Sequence, residues 1–402
     1  MTGRRIVYVE ATGRGGGSNA SLRCLLAGLD RSRYEPVVVL GDRGSRGEWE
    51  GETYELPAAT LDNLDFFPPA WNLRWLYQFF LFLVRFLPDT VRAALLLCRL
   101  RPSIVHLNVG QVVSFGCAAR LLRVPVVWHI RELVVANWLG KGQDRLYAAC
   151  ADRVIATSRI VASRLPVCGP KLAVIPNCVS PPRVDPQEIA GLRTAAGLRD
   201  EDFVVLLLGS ELSAAKGYVF LAEVADQLAS HPRIRFLLAG RTVPPPAGAL
   251  HRLLRRVAVG KSSRGAERQR ILDRWKCHVM AGRAHFTGYV NASTAIGASS
   301  ILVCPNQIAE PFGRSFIEGG IQERPLIAMD IPAFNELIDH GRTGWLLSSD
   351  PARWSATIAS LADDPLAVGR AGSAARKCVL ELGPGDHARR MMDMYDDVLR
   401  CA

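Results

Sequence analysis

The sequence predicts an α/β protein built from two doubly wound parallel-sheet domains, and three observations carry that prediction. Short apolar runs rich in β-branched residues alternate with longer helical patterns. A proline-rich stretch, VIPNCVSPPRVDPQ (174–187), interrupts the alternation, which then begins again. The length of 402 residues also exceeds the ~250–300 at which one core stops growing.

In chain order, IVYVE (6–10), PVVVL (36–40), SIVHLN (103–108), PVVWHI (125–130) and RVIATS (153–158) are bounded by turn residues. Each is separated from the next by enough chain for a crossover, so these runs form a parallel sheet with helices on both faces. After the linker, FVVLLLG (203–209), IRFLLAG (234–240), AHFTGYV (284–290), SILVCP (300–305), RPLIAMD (324–330) and GWLLS (344–348) form a second sheet. The domains are placed at 1–182 and 183–385, with a C-terminal helical segment at 386–402. Two such domains facing each other make a cleft at the carboxyl ends of their strands. Residues 241–283 carry a basic run from Arg252 to Lys276 and read as a partly mobile surface segment.

GRGGGSNASL (13–22) follows the first strand and opens a helix whose first amides could cradle a phosphate. Gly15, Gly17 and Ala20 fit the GxGxxA form of the dinucleotide fingerprint, with Asp42 as the ribose partner. ATGR intervenes, however, where the fingerprint wants a tight turn directly after the strand. A nicotinamide-dependent oxidoreductase and a purely structural loop both stay open on these residues.

Residues 71–100 are the most lipid-like segment, but their longest uncharged run, WLYQFFLFLV, is half of the ~20 residues a spanning helix needs. Arg74, Arg85, Arg92 and Arg99 share one helical stripe opposite Trp71, Trp75, Phe79 and Phe82. Two readings follow. One is an interfacial helix pair resting on an anionic membrane; the other is a core-packing helix interrupted at Pro88 and followed by a second.

A net charge of +11 implies an anionic partner. Nucleic acid is disfavoured, because no RNP, zinc-finger or helix-turn-helix signature turns the positive field into a binding mode. Ten cysteines without a CxxC pair read as reduced thiols. Cys277, His278 and His285 lack the second cysteine pair that would complete a zinc site. MTGRRIVYVE contains no signal-peptide core, so the expectation is a cytoplasmic protein, with the inner face of the membrane as its place of contact.

The chemistry concentrates in AEPFGRSFIEGG (309–320). A strand, the loop NQIAEPFG and a helix start near Arg314 or Ser315 aim unpaired amides over the strand ends, where a diphosphate fits. Glu310 and Glu318 could accept hydrogen bonds from hydroxyls on either side of that anion, as the sugar and ribose of a nucleotide sugar require. Carboxylates beside phosphate demand a cation, and Lys216 in GSELSAAKGYVFLAE lies at the same sheet edge.

EPFGRSFIEGG, with RPLIAMD, Glu336 in FNELI and HGRTGWLL, resembles the donor-binding half of the family 4 retaining glycosyltransferases of GT-B fold, two Rossmann-like domains with a cleft between them. The glycines at 15–17, PVVWHIREL (125–133), VIPN (174–177) and AKG (215–217) extend the likeness over most of the chain. The resemblance implies that Glu310 contacts the donor sugar and Glu318 the ribose, and that Phe312, Gly313, Ser315 and Phe316 offer backbone amides. It implies that Lys216 neutralises the leaving group, that His129 lies near the reacting centre, and that Gly16 and Gly17 let the N-terminal loop approach the diphosphate and acceptor. The last segment would cross back to the N-terminal, acceptor-side domain.

The family's G-R-L-x-x-x-K-G pattern is broken, since Glu211 stands where an arginine is usual; Arg131, Arg241 and Arg314 are the replacement cations by location. GGIQERP also departs from the usual turn after the second glutamate. The implied activity is metal-independent transfer, with retention, from a UDP- or GDP-sugar as co-substrate to a glycan or lipid-linked acceptor, without a cofactor. A GT-B protein that binds without catalysing is the alternative that Glu211 motivates.

Overall fold

A computed structural model describes residues 3–11, 16–41, 49, 51–56, 73–178, 182, 184–241 and 263–401. Gly15, Asp42, Trp71 and Arg252 lie outside the described residues, as do the side chains of Arg74, Trp75 and Phe79. The chain divides into two compact units, Met1–Ser180 with Leu382–Ala402, and Pro181–Glu381.

The first unit holds β1 (Arg4–Glu10), β2 (Tyr34–Leu40), β3 (Glu52–Glu55), β4 (Ile104–Leu107), β5 (Val126–Ile130), β6 (Arg153–Ala156) and β7 (Leu172–Val174). They form one parallel sheet in the order β3-β2-β1-β4-β5-β6-β7. The second unit repeats the plan with β8 (Phe203–Glu211), β9 (Ile234–Arg241), β10 (Ala284–Gly288), β11 (Ile301–Cys304), β12 (Leu326–Met329) and β13 (Gly344–Leu347), ordered β10-β9-β8-β11-β12-β13. Its central strands are buried on both faces, which is why they read as unbroken apolar runs. Three of its helices start on Asp-Pro: the carboxylates of Asp185, Asp350 and Asp364 accept from the amides of Gln187, Ala352 and Ala367. The proline that follows each takes a position whose N–H has no helical partner.

Helix α1 (Gly17–Ala27) opens directly after Gly16. Helix α2 (Leu73–Leu100) is continuous through Pro88, which corrects the expected interruption. Pro88 and Val84, the residue whose carbonyl it leaves without an amide, are both on the exposed side of the helix, where water can take the place of the missing bond. The basic segment is also corrected in its second half: residues Ser263–Met280 are a helix with Ile271 and Trp275 fully buried, and Trp275 Nε1 donates to the Tyr218 carbonyl at 2.8 Å. His278 of that helix bonds Asp226 at 2.8 Å. The all-thiol reading is corrected at one pair, because Cys24 of α1 and Cys178 form a disulfide; 154 residues of separation leave no local spacing to read.

The C-terminal helix Pro384–Cys401 lays Ala388, Met391, Tyr395 and Val398, at helical spacing, on the core of the first unit beside Leu22, Leu25 and Tyr34. Between it and the sheet three imidazoles meet, two from the strands and His387 from the helix itself. His106 of β4 and His129 of β5 point to this sheet face, with ring centroids 5.8 Å apart, and the His387 ring stacks 6.5 Å from that of His129. Tyr395 bonds His106 Nδ1 at 2.8 Å, and His387 Nδ1 donates to the Pro176 carbonyl at 2.9 Å.

Burial, and then the positive charge of Arg131, holds all three histidines neutral: His106 and His129 titrate well below the usual range, and His387 is pushed down to about 4. Each therefore binds a proton in the unfolded chain, near 6.5, before it does so in the folded one. Their contribution is complete above pH 6.5 and is lost as pH falls toward 4, with His387 alone accounting for roughly 3 kcal/mol. Urea unfolding is expected to show a midpoint that drops steadily from neutrality to about pH 5, and His387→Asn is expected to flatten that slope. A pH-independent midpoint would contradict the assignment.

Candidate active site

The strand order of the second sheet reverses between β8 and β11, the switch point where neighbouring loops leave in opposite directions. The loop after β8 forms a single 3-10 turn, Ala214–Lys216, held from both sides: Ser213 Oγ accepts the Ala215 amide at 3.2 Å and Glu267 accepts the Ala214 amide at 2.8 Å. Gly217 ends the turn at φ 84° with its Cα against the loop after β11; a Cβ there would stand 2.0 Å from the Pro305 carbonyl oxygen. The two loops are joined again where Gln307 donates its amide to the Ala215 carbonyl at 2.9 Å.

This joining brings together residues far apart in sequence. Lys216 Nζ lies 2.8 Å from Glu310 Oε2, and Asn306 Nδ2 donates to the same oxygen at 2.7 Å. Eight residues on, Glu318 Oε1 accepts from Arg314 Nη2 at 2.7 Å and Nε at 3.2 Å. Each carboxylate thus carries its own cation. The Lys216 side chain is 41% exposed, and an ion pair so open to water contributes at most about 1 kcal/mol. It can be exchanged for a stronger anion at small cost.

Gly313, at φ 83°, turns the chain into the helix Arg314–Gly320 with the Phe334 ring directly beneath it. Phe312 and Phe316 are buried and anchor the turn. The Phe316 amide donates to the Gly313 carbonyl at 3.1 Å. At the end of β11, burial pushes the Cys304 thiol up to about 12, while a hydrogen bond with Ser315 works the other way; Glu310, Lys216 and Glu318 all lie close enough to act on it. Glu211 ends β8 in register with Arg241 of β9, whose guanidinium is stacked 4.5 Å over the ring of Tyr289.

The first unit has a polar network at its own switch point, between β1 and β4. Glu10, the buried last residue of β1, accepts from the Ala11 amide at 3.1 Å, from Ser18 Oγ at 3.2 Å and from Asn108 Nδ2. It thereby ties β1 to the start of α1 just past Gly16 and Gly17. Asn108 Oδ1 in turn accepts from Arg131 Nη2 at 2.8 Å, and Arg131 also donates to Asn177.

His129 lies within β5 at 0% exposure, and its Nδ1 sits 3.2 Å from Arg131 Nη2. A guanidinium only donates, so Nδ1 is the acceptor and the ring proton is on Nε2. This bond ties the His129 ring to the Arg131 guanidinium. Glu10, Asn108, Asn306 and Glu267 have no motif signal; only Glu10, a carboxylate closing an apolar strand, could have drawn notice.

Residues 16–178 match the glycosyl transferase 4-like domain, and residues 202–364 match the glycosyl transferases group 1; together these span well over half of the chain. No curated protein matches by sequence. Among solved structures, HepE of Anabaena in complex with UDP-glucose is similar at TM-score 0.76 and 17% identity, over 98% of this chain and 99% of that one. A glycosyltransferase of Rickettsia africae reaches 0.75 at 16% identity over 100% of both chains. Sucrose-phosphate synthase of Thermosynechococcus elongatus reaches 0.71 at 20% identity, over 99% and 100%. At such identities the likeness establishes the fold, and the domain matches establish the family. The chain belongs to the glycosyltransferases of GT-B fold, with a glycosyl transferase 4-like domain followed by a glycosyl transferases group 1 domain.

Proposed function

We propose that the chain moves a sugar from a UDP- or GDP-sugar to a hydroxyl of a glycan or lipid-linked acceptor, with retention at the anomeric carbon and without a metal ion. The observation that carries this reading is the pairing of Lys216 with Glu310 and of Arg314 with Glu318 at one sheet edge. The crystals of HepE with UDP-glucose support the donor class.

A nucleoside diphosphate draws both cations toward its phosphates. Glu310 is then released to accept a hydroxyl of the sugar, and Glu318 one of the ribose. The amides of Phe312, Gly313 and Ser315 complete the diphosphate contacts. As the glycosidic bond breaks, the sugar becomes oxocarbenium-like and charge accumulates on the departing phosphate, where Lys216 and Arg314 stabilise it. An oxygen of that phosphate takes the acceptor's proton, and attack from the same face retains the configuration. Arg314 thus answers for the arginine that Glu211 displaced.

The test is transfer with a panel of UDP- and GDP-sugars, with the product anomer read by NMR and chelator added in parallel. The expected product keeps the donor's anomeric configuration, and chelator leaves the rate unchanged. Arg314→Gln is expected to raise the donor KM about tenfold, because a charge-assisted contact to phosphate is lost. An inverted product would overturn retention. Calorimetry showing no binding of UDP or GDP would overturn catalysis in favour of a non-catalytic protein.

A further inference from the structure

We propose that the outer face of α2 docks on an anionic lipid bilayer surface. Phe80, Leu83, Val84, Leu87, Val91 and Leu95 are all exposed, from 50% at Val91 to 68% at Leu87. Positions 80, 84, 87, 91 and 95 follow one another at steps of three or four, so they form a single apolar stripe along the helix. The opposite face, through Ala93, Leu97 and Leu100, with Phe82 and Phe86 beside them, is packed on the core of the first unit. An amphipathic surface helix normally ends its apolar residues at that core face; here a second apolar face is turned to water.

The edge of this second face is cationic. Arg85, Arg92 and Arg99 recur every seven residues and so line one side of the stripe, all exposed. Among the described residues the carboxylate paired with them is Asp89, which is buried and lies 3.2 Å from Arg92 and 3.7 Å from Arg85, one negative charge beside three guanidiniums. Apolar side chains flanked by a row of arginines match an interface of acyl chains beneath anionic headgroups, in both polarity and sign. A purely apolar protein surface would leave the arginine row unanswered. The helix lies on the bilayer and does not cross it: no helix among the described residues is long and apolar enough to span.

The proposal concerns a surface apart from the donor site, so its test reads binding and not transfer. The full chain is floated with vesicles of phosphatidylcholine alone and with vesicles of equal parts phosphatidylcholine and phosphatidylglycerol. It is expected to float with the anionic vesicles, to be released in part by about 0.5 M salt, and to stay behind with the neutral ones. The double substitution Leu87→Glu with Val91→Glu is expected to reduce the bound fraction at least about tenfold. Its melting temperature should not change, since both side chains are already in water. Arg99→Gln should weaken binding to a smaller degree.

Wild-type protein that does not float with anionic vesicles would overturn the proposal, as would a double variant that floats equally well. A wild-type dimer that the double variant converts to monomer would assign the face to a second copy of the chain instead.

Discussion

Lys216→Ala is expected to lower kcat/KM for transfer by about a hundredfold, the scale on which removal of one preorganised charge from a developing oxyanion is felt. Lys216 is held for this task by its turn: Ser213 and Glu267 take up the turn's amides, so the lysine leaves a fixed backbone. Its partner Glu310 is a substitute anion at 2.8 Å and keeps the ammonium near where phosphate is proposed to lie. Because the pair is open to solvent, removing the lysine should leave the melting temperature nearly unchanged. Affinity for UDP should fall less than the rate, since charge is greatest in the transition state. Glu310→Gln should slow transfer as well, while retaining nucleoside diphosphate binding. A Lys216→Ala enzyme within about threefold of wild type would remove this residue from the mechanism.

Gly217→Ala is expected to destabilise the second unit by about 3–4 kcal/mol, which for a unit of this size lowers its melting temperature by roughly 10 °C. Two costs add. At φ 84° any L side chain is strained, and the new Cβ would meet the Pro305 carbonyl oxygen at 2.0 Å. That oxygen belongs to the backbone between β11 and Glu310, so relief requires the two site loops to part, and transfer should fall with stability. Gly191→Ala is the control. It lies within the helix Pro186–Ala195, where a Cβ meets nothing within 4 Å, and should be neutral or slightly stabilising. Differential scanning calorimetry of both variants separates the cases, and equal melting temperatures would refute the close-approach argument.

The strands legible in the sequence are those buried on both faces, such as β1, β5, β8 and β11, where solvent exclusion demands continuous apolar runs. The two that escaped notice, β3 and β7, are the edges of the first sheet. An edge strand has one neighbour and a partly wet face, so ETYE and LAV need no such run. Pro88 misled for a related reason: proline reports a lost hydrogen bond, and whether that breaks a helix depends on whether water can reach the freed carbonyl. At the site, Lys216, Glu310, Arg314 and Glu318 could be named because each belongs to a local pattern. Their pairings could not be read, since Lys216 and Glu310 are 94 residues apart.

By itself the sequence determined the two repeated α/β units, the linker between them and the identity of the charged residues near the strand ends. Those are properties of local periodicity and of residue chemistry, which a chain carries before it folds. Only the tertiary structure decided that each carboxylate holds a cation, that His129 is enclosed beneath the C-terminal helix, that Cys24 meets Cys178 and that one side of α2 is left in water. Burial and pairing depend on which distant segments arrive at the same place, and strand order settles that.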